Sequence, residues 1–353
     1  MNDAIRLLGI EYPIIQAPMA GTATPAMAAA VSNAGGLGSI SIAAVNAAAG
    51  QKMIAETRAA TAKPFNINVF CNQPSTPQAQ VEQTWLAHLR PFFAEFGAEP
   101  PAQIADIYTS FCTDDAQLEV LLAERPPVVS FHLGLPPQAR IDALKEAGIV
   151  LLASATTLDE AFAVQDAGID MVVAQGIEAG GHRGIFDPEL GDQGIGTTAL
   201  VRVFAKHLKL PVIAAGGIMD GAGIASVMAL GACAAQLGTA FVLCPESAAN
   251  PTYRAMLASE RARVTQVTSV ISGRPARGIV NRFMREVGAS GHPSVPGFGI
   301  AYNAGKKLIE AAAAAGNPEF AAHWAGQGAA LARSLPAAQL VATLQEEYLA
   351  ARA

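Results

Sequence analysis

Charge is scarce in this chain. Only 15% of its 353 residues are Asp, Glu, Lys or Arg, against 51% hydrophobic, and mean hydropathy is +0.31. A chain this apolar buries enough surface to fold, which excludes disorder as its main state. Lys and Arg number 23 against 29 Asp and Glu, a formal charge of −6, and no polybasic run is present. Nucleic acid and anionic membrane surfaces are therefore not expected partners. Cysteine is sparse too. Cys71, Cys112, Cys233 and Cys244 are scattered, with no C-x-x-C spacing. That excludes a disulfide scaffold or a cysteine zinc site, so no metal is expected, and it fits reduced thiols in a cytoplasm. No 18-residue apolar stretch is free of Gly, Pro or charge, and Met1-Asn2-Asp3 is not the charged start of a signal peptide. A G-x-G-x-x-G after the first apolar run is missing, as is a Walker lysine motif. Dinucleotide folds and nucleoside-triphosphate chemistry are disfavoured accordingly.

Short β-rich apolar runs alternate with alanine-rich helical stretches. The runs begin at residues 13–18, 37–41 and 65–70, and continue at 128–131, 149–153, 171–174, 211–215 and 234–237. Most lack polar alternation, as strands of a parallel sheet covered on both faces must. Helices are expected between them, for example at 25–33, 45–61, 157–167, 197–207 and 221–230. Eight strand–helix units predict a (β/α)8 TIM barrel, an α/β fold, with a doubly wound open sheet as the alternative. Residues 71–127 break the rhythm as an insertion after the third strand, with an amphipathic helix near 80–90. Residues 1–250 are read as the barrel and 251–353 as a mainly helical subdomain packed on it. In that tail 304–315, 318–331 and 336–351 read as helices and 273–278 as a loop.

Barrel enzymes carry their sites on the loops after the strands. After the first strand, Ala17, Pro18 and Met19 are small or flexible enough for a flat ligand to lie against them, although a tight βα turn would look the same. Asn66 and Asn68 share one strand face and could bond a heterocycle edge or a neighbouring strand. The sixth strand ends in Gln175, followed by Gly180, Gly181, His182 and Arg183. The glycines permit close backbone approach, and His182 falls where a loop overhangs the barrel mouth. Arg183 is read as an ion-pair partner within that loop. Gly216 and Gly217, then Gln236, Gly238 and Thr239, end the last two strands. These are the usual positions for a phosphate. His132 closes the fourth strand and could face the same pocket or bond a neighbouring loop. Tyr108 lies in the insertion, as packing or as a ligand contact. Tyr302 and Lys306 stand one helical turn apart, which suits a small anion or an ordinary solvated helix start. His88, His207, His292 and His323 are read as structural, and Trp85 and Trp324 as helix packing.

Together, Gln16-Ala17-Pro18-Met19, Phe65-Asn66-Ile67-Asn68, Ser130-Phe131-His132-Leu133-Gly134, the 175–184 segment and the two later glycine turns resemble the nitronate monooxygenases, formerly called 2-nitropropane dioxygenases. Tyr302-Asn303-Ala304-Gly305-Lys306 resembles the family's class I pattern, though Phe298 and Ile300 stand where that class often has another aromatic hydroxyl. The resemblance implies non-covalent FMN. Ala17, Pro18 and Met19 would lie against its ring and Asn68 and Gln175 would bond its edge. Gly180, Gly181, Gly216, Gly217, Gly238 and Thr239, in the turn with Gln236, would hold its ribityl chain and phosphate. The implied reaction converts an alkyl nitronate and O2 to a carbonyl compound and nitrite. His182 would act beside the flavin as base or orienting group. Tyr108, His132, Tyr302 and Lys306 would hold a substrate carboxylate, as in propionate 3-nitronate. The rival readings are an NAD(P)H:quinone reductase on the same FMN barrel and a catalytically silent flavin- or phosphate-binding protein. A monomer or homodimer is expected.

Overall fold

The computed structural model describes residues 3–352; Met1 and Asn2, on which part of the signal-peptide reading rests, lie outside the described residues. In chain order the strands are β1 (Ile14–Gln16), β2 (Gly38–Ser41), β3 (Phe65–Phe70), β4 (Val128–His132), β5 (Val150–Ala155), β6 (Met171–Gln175), β7 (Gly181–His182), β8 (Val212–Ala215), β9 (Ala234–Leu237), β10 (Thr265–Thr268) and β11 (Ala276–Ile279). Eight of them pair in parallel in the order β1-β9-β8-β6-β5-β4-β3-β2. Ile15 bridges Leu37 just before β2, which brings the two ends of the sheet together as a barrel. The expected eight strands are these eight, and their apolar runs are buried apart from Phe70 and Val150 at strand ends.

The helices are α1 (Asp3–Leu8), α2 (Pro25–Asn33), α3 (Ala47–Ala60), α4 (Ala79–Glu95), α5 (Asp115–Glu124), α6 (Gln138–Glu146), α7 (Leu158–Asp166), α8 (Thr197–His207), α9 (Gly221–Ala229), α10 (Pro251–Leu257), α11 (Ile300–Ala314) and α12 (Ala337–Ala351). Their starts follow from side-chain caps. Thr24, Asn46, Asp114 and Asp220 each accept a backbone N–H three residues on. Thr157 and Glu160 form a full capping box at α7. No helix among the described residues is long and apolar enough to cross a membrane.

Three apolar clusters set the architecture. Ile5 and Leu8 of α1 join Val128, Met171 and Ala234 at the beginnings of the strands, so α1 plugs the end of the barrel away from the βα loops. A second cluster joins Trp85, Leu89 and Phe93 of α4 to Ile300 and Leu308 of α11, with Phe283 and Phe320. Leu340, Val341 and Leu344 of α12 belong instead to the large cluster between the strands and the outer helices.

Two expectations are corrected. Residues 318–331 do not form the expected helix; only Ala329–Leu331 makes a short 3-10 turn. The backbone there bonds other parts of the chain instead. Ala325 N–H donates to Arg277, Gln327 N–H to Glu178 and Gly326 N–H to Thr239 Oγ1. Trp324 therefore stands in an extended segment, bridged to Gly278, and not in a helix. The 273–278 stretch read as a loop runs into β11, which pairs antiparallel with β10 and β7 in a small second sheet.

Candidate active site

A cavity of about 520 Å3 opens at the carboxyl ends of the barrel strands, and the candidate residues named from the sequence line it, Asn66 and Arg183 excepted. Its floor is backbone-rich. Ala17, Pro18 and Met19 leave β1 there, Gly181 lies opposite, and the turns after β8 and β9 supply Gly216, Gly217, Gly238 and Thr239. Gly216 and Gly217 have φ of 127° and 72°, a region closed to most side chains. A Cβ on Gly181 would meet nothing within 4 Å, so its bare backbone faces open space. Gly180 and Gly216 differ. A Cβ on Gly180 would strike Gly326 N at 2.5 Å, and one on Gly216 would strike Thr197 Oγ1 at 2.7 Å. Their smallness is therefore needed by neighbouring protein. This floor suits a flat ring against backbone with an anionic end at the two glycine turns.

His182 is held on three sides. Its segment pairs with β11, with His182 opposite Ala276. Its carbonyl oxygen accepts from Gln175 Nε2 at 3.0 Å and from His132 Nε2 at 3.1 Å. Its own Nε2 lies 2.9 Å from Ser272 Oγ. The Ser272 hydroxyl donates to the Arg274 carbonyl at 3.2 Å, so its oxygen accepts from the histidine. This pattern assigns the proton to His182 Nε2 and the lone pair to Nδ1. Burial, then the neighbouring His132 and Arg274, pushes its pKa down to about 3. The imidazole is neutral at ordinary pH.

His132 lines the cavity but spends both ring nitrogens inside the protein. Nε2 donates to the His182 carbonyl, so Nδ1 accepts from Ser154 Oγ at 2.6 Å. Burial pushes its pKa down to about 4, with Arg274 and Arg183 adding to the effect. Only its ring carbons remain for a ligand. The expected amides are similarly engaged. Asn68 Nδ2 donates to Ser130 O and Oγ, both at 3.1 Å, and its Oδ1 accepts from Ser41. Gln175 Oε1 accepts from Arg183 at 2.8 Å and from Gly184 N at 2.7 Å. One Gln175 N–H and one Asn68 lone pair stay available. Gln236 is half-buried, and its side-chain amide has no hydrogen bond among the described residues. Asn66 bonds Ser39 and Ser130 and does not line the cavity. Arg183, fully buried, does pair within its loop, at 2.7 Å from Asp192. It also donates to the carbonyls of Gln175 and Gly176.

The upper wall is aromatic. Tyr108 stacks on Phe298 with ring centres 5.4 Å apart, and Tyr302 lies 6.1 Å from Tyr108. Burial pushes both phenols up to about 12, so both keep their protons as donors. Lys306 Nζ sits 5.1 Å from each of these two ring centres. It is half-buried, and no carboxylate among the described residues pairs with it. Phe298 and Trp324 approach the His182 ring at 5.3 and 5.4 Å. Sequence reasoning missed Trp324 as a wall residue because its segment looked helical. It missed Ser272 and Glu178 because neither carries a local signal. The Glu178 carboxylate accepts from Thr197 N and Oγ1, at 2.8 and 2.7 Å, and so fastens the glycine loop to the start of α8.

The chain matches known proteins along nearly its whole length. A family model described as nitronate monooxygenase covers residues 2–347. A nitronate monooxygenase of Paraburkholderia phytofirmans is 60% identical over 97% of this chain and 93% of its own. One of Pseudomonas aeruginosa is 57% identical over 97% of both. Among solved structures, the nitroalkane oxidase from Streptomyces ansochromogenes superposes with a TM-score of 0.88 at 39% identity, covering 99% of each chain. FabK from Thermotoga maritima gives 0.75 at 30% identity, over 99% of this chain and 96% of that one. A barrel with a glycine-floored cavity, a fixed neutral histidine and matches of this extent have one reading: the chain belongs to the nitronate monooxygenase family of oxidoreductases.

Proposed function

We propose that this enzyme uses FMN to oxidise alkyl nitronates with O2 to carbonyl compounds and nitrite, and that its preferred substrates carry a carboxylate, as propionate 3-nitronate does. The observation that carries the carboxylate preference is Lys306. A half-buried ammonium with no acidic partner, between two protonated phenols, invites an anion into an acidic protein.

The floor supports the cofactor reading. Ala17, Pro18 and Met19 would lie against the flavin ring. The free Gln175 N–H, the Asn68 lone pair and the unpartnered Gln236 amide would meet its polar edge. Gly180, Gly181, Gly216, Gly217, Gly238 and Thr239 would hold the ribityl chain and phosphate, most directly where Gly181 faces open space. FMN, when bound, supplies the electron transfer between nitronate and O2.

The protein's own groups do the rest. Lys306 would fix the carboxylate, with Tyr108 and Tyr302 donating their phenol hydrogens. His182 Nδ1 presents a lone pair. A neutral nitroalkane would give its α-proton to that nitrogen, whereas a nitronate needs no base. His132 and Gln175 act through the His182 carbonyl and hold the imidazole in place. Phe298 and Trp324 keep water from the face of the histidine. The test is spectroscopic. Purified protein should show the two-banded flavin absorption, bleach anaerobically on adding a nitronate, and release nitrite in air. Rapid bleaching by NADH and none by nitronates would overturn the proposal in favour of a quinone reductase.

A further inference from the structure

Cys71 and Cys112 lie 41 residues apart in sequence. The fold brings them together. β3 ends at Phe70, and the insertion returns to it at Phe111, whose N–H donates to the Phe70 carbonyl at 2.8 Å. The residues that follow on each segment are the two cysteines. Cys112 Sγ lies 3.4 Å from the Cys71 carbonyl oxygen and 3.7 Å from that of Leu135, which receive its hydrogen when it is a thiol. The Cys71 thiol bonds the Cys112 sulfur in turn. The contact of Cys112 Sγ with the Cys71 carbonyl sets the two residues side by side, as a disulfide requires. Cys71 is buried and Cys112 partly exposed. Arg140 stands beside the pair, its guanidinium 5.5 Å from the Phe111 ring centre.

We propose that Cys71 and Cys112 are a peroxide-reactive dithiol, in which Cys112 is oxidised first and Cys71 closes a disulfide onto it. The Cys112 thiolate would attack hydrogen peroxide, taking one oxygen and, with a proton, releasing water. The resulting sulfenic acid would be attacked by Cys71 sulfur, losing its hydroxyl with the Cys71 proton as a second water. The two sulfurs give up two electrons and one peroxide becomes two waters. The electrostatics agree. The hydrogen bond from Cys71, helped by Ser110 and Arg140, holds the Cys112 thiol down at about 6, below its ordinary 9.0. Burial pushes Cys71, Cys233 and Cys244 up, the last two to about 12. Thiolate character and access both single out Cys112.

The test uses the holoenzyme with hydrogen peroxide. Intact mass should fall by two hydrogens, a non-reducing peptide map should show a 71–112 link, and dithiothreitol should reverse both. In Cys71→Ala the same treatment should leave Cys112 as a sulfenic acid that dimedone traps, and Cys112→Ser should abolish the mass loss. Native alkylation should reach Cys112 at least about tenfold faster than Cys233 or Cys244. Four alkylatable thiols after peroxide treatment of the unaltered enzyme would overturn the proposal. So would a disulfide using Cys233 or Cys244, or dimedone trapping as strong with Cys71 present as without it.

Discussion

Removing the charge of Lys306 is expected to cripple recognition of one class of nitronate and spare another. Lys306→Met keeps the stem and deletes the ammonium. No acidic side chain among the described residues pairs with this lysine, so the change orphans no carboxylate. Its cost to the fold is two cation–π contacts at 5.1 Å, about 0.5–1 kcal/mol each. The cost to binding is larger. A hydrogen bond to a charged group is worth about 1.5–3 kcal/mol, or about 10- to 150-fold in KM for propionate 3-nitronate. A simple alkyl nitronate would feel the ammonium only through space, at about 1 kcal/mol or less and so under about sixfold. The assay is oxygen consumption over a range of each substrate, with flavin content measured in parallel. Lys306→Arg should restore much of the loss, since the charge returns. A KM increase of the same size for both substrates, with flavin retained, would refute the reasoning. Lys306 would then act on the nitronate charge or on the fold.

Other substitutions test other parts of the site. Gly217→Asp should purify without FMN, because a carboxylate at a φ of 72° beside the phosphate turn repels the phosphate. Gly217→Ala bears the same backbone strain without the charge and should keep more flavin; equal flavin in the two variants would separate this turn from the phosphate. At Gly299 the φ is 83°, and a Cβ would fall 1.9 Å from Asp106 Oδ1. Gly299→Ala should therefore lower Tm and raise KM by displacing the Tyr108 segment. Adding Asp106→Ala should recover part of both, and strict additivity in a double-mutant cycle would show that the two residues do not couple. Stability should also fall in acid. His132 and His323 are pushed down to about 4 and His182 to about 3, each mainly by burial. The unfolded chain takes up protons below about pH 6.5 that the folded chain refuses, so stability is fully present above that pH and is lost progressively down to about pH 3–4. Denaturant midpoints measured from pH 7 to 4 check this, and a flat profile would mean that these imidazoles are not neutral in the fold.

The barrel was legible because each of its strands is a nearly unbroken apolar run between glycine or proline signals, as in Ile213-Ala214-Ala215-Gly216-Gly217. Burial on both faces leaves a local signature. The small second sheet leaves none. Gly181 and His182 become a strand only because Ala276 and Arg277 arrive from almost a hundred residues away. Residues 318–331 misled for the converse reason. Their composition allows a helix, but Ala325, Gly326 and Gln327 give their N–H groups to distant acceptors. Strand ends and glycines located most of the site residues, and helical spacing in the tail located Tyr302 and Lys306; of these candidates Asn68 reaches the cavity and Asn66 does not. What their polar atoms do was hidden. Asn68, Gln175 and His132 look like ligand groups in sequence, yet they bond Ser130, Arg183 and Ser154 across neighbouring strands and loops. The pairing of Cys71 with Cys112 was equally invisible, since no spacing rule spans an insertion.

In the ring of helices around the barrel, α9 is the seventh and α2 the first, and α12 lies against both. The chain after β9 does not fill the eighth place itself. It leaves to build residues 251–331 and returns only at Ala337–Ala351. Gly221 N–H donates to Glu347 across this seam at 3.0 Å. The consequence concerns synthesis. All eight barrel strands emerge from the ribosome before the helix that seals their first and last members. Until then the apolar surface of Ile224, Val227, Met27 and Val31 that belongs to the α12 cluster stays uncovered. The barrel therefore completes only after Ala337–Ala351 has been made, through contacts that join this helix to α2, about three hundred residues earlier, the kind of topology that folds slowly. A nascent chain stalled anywhere before residue 337 should expose that seam to chaperones, and emergence of the fifteen-residue helix Ala337–Ala351 should be the event that ends the exposure.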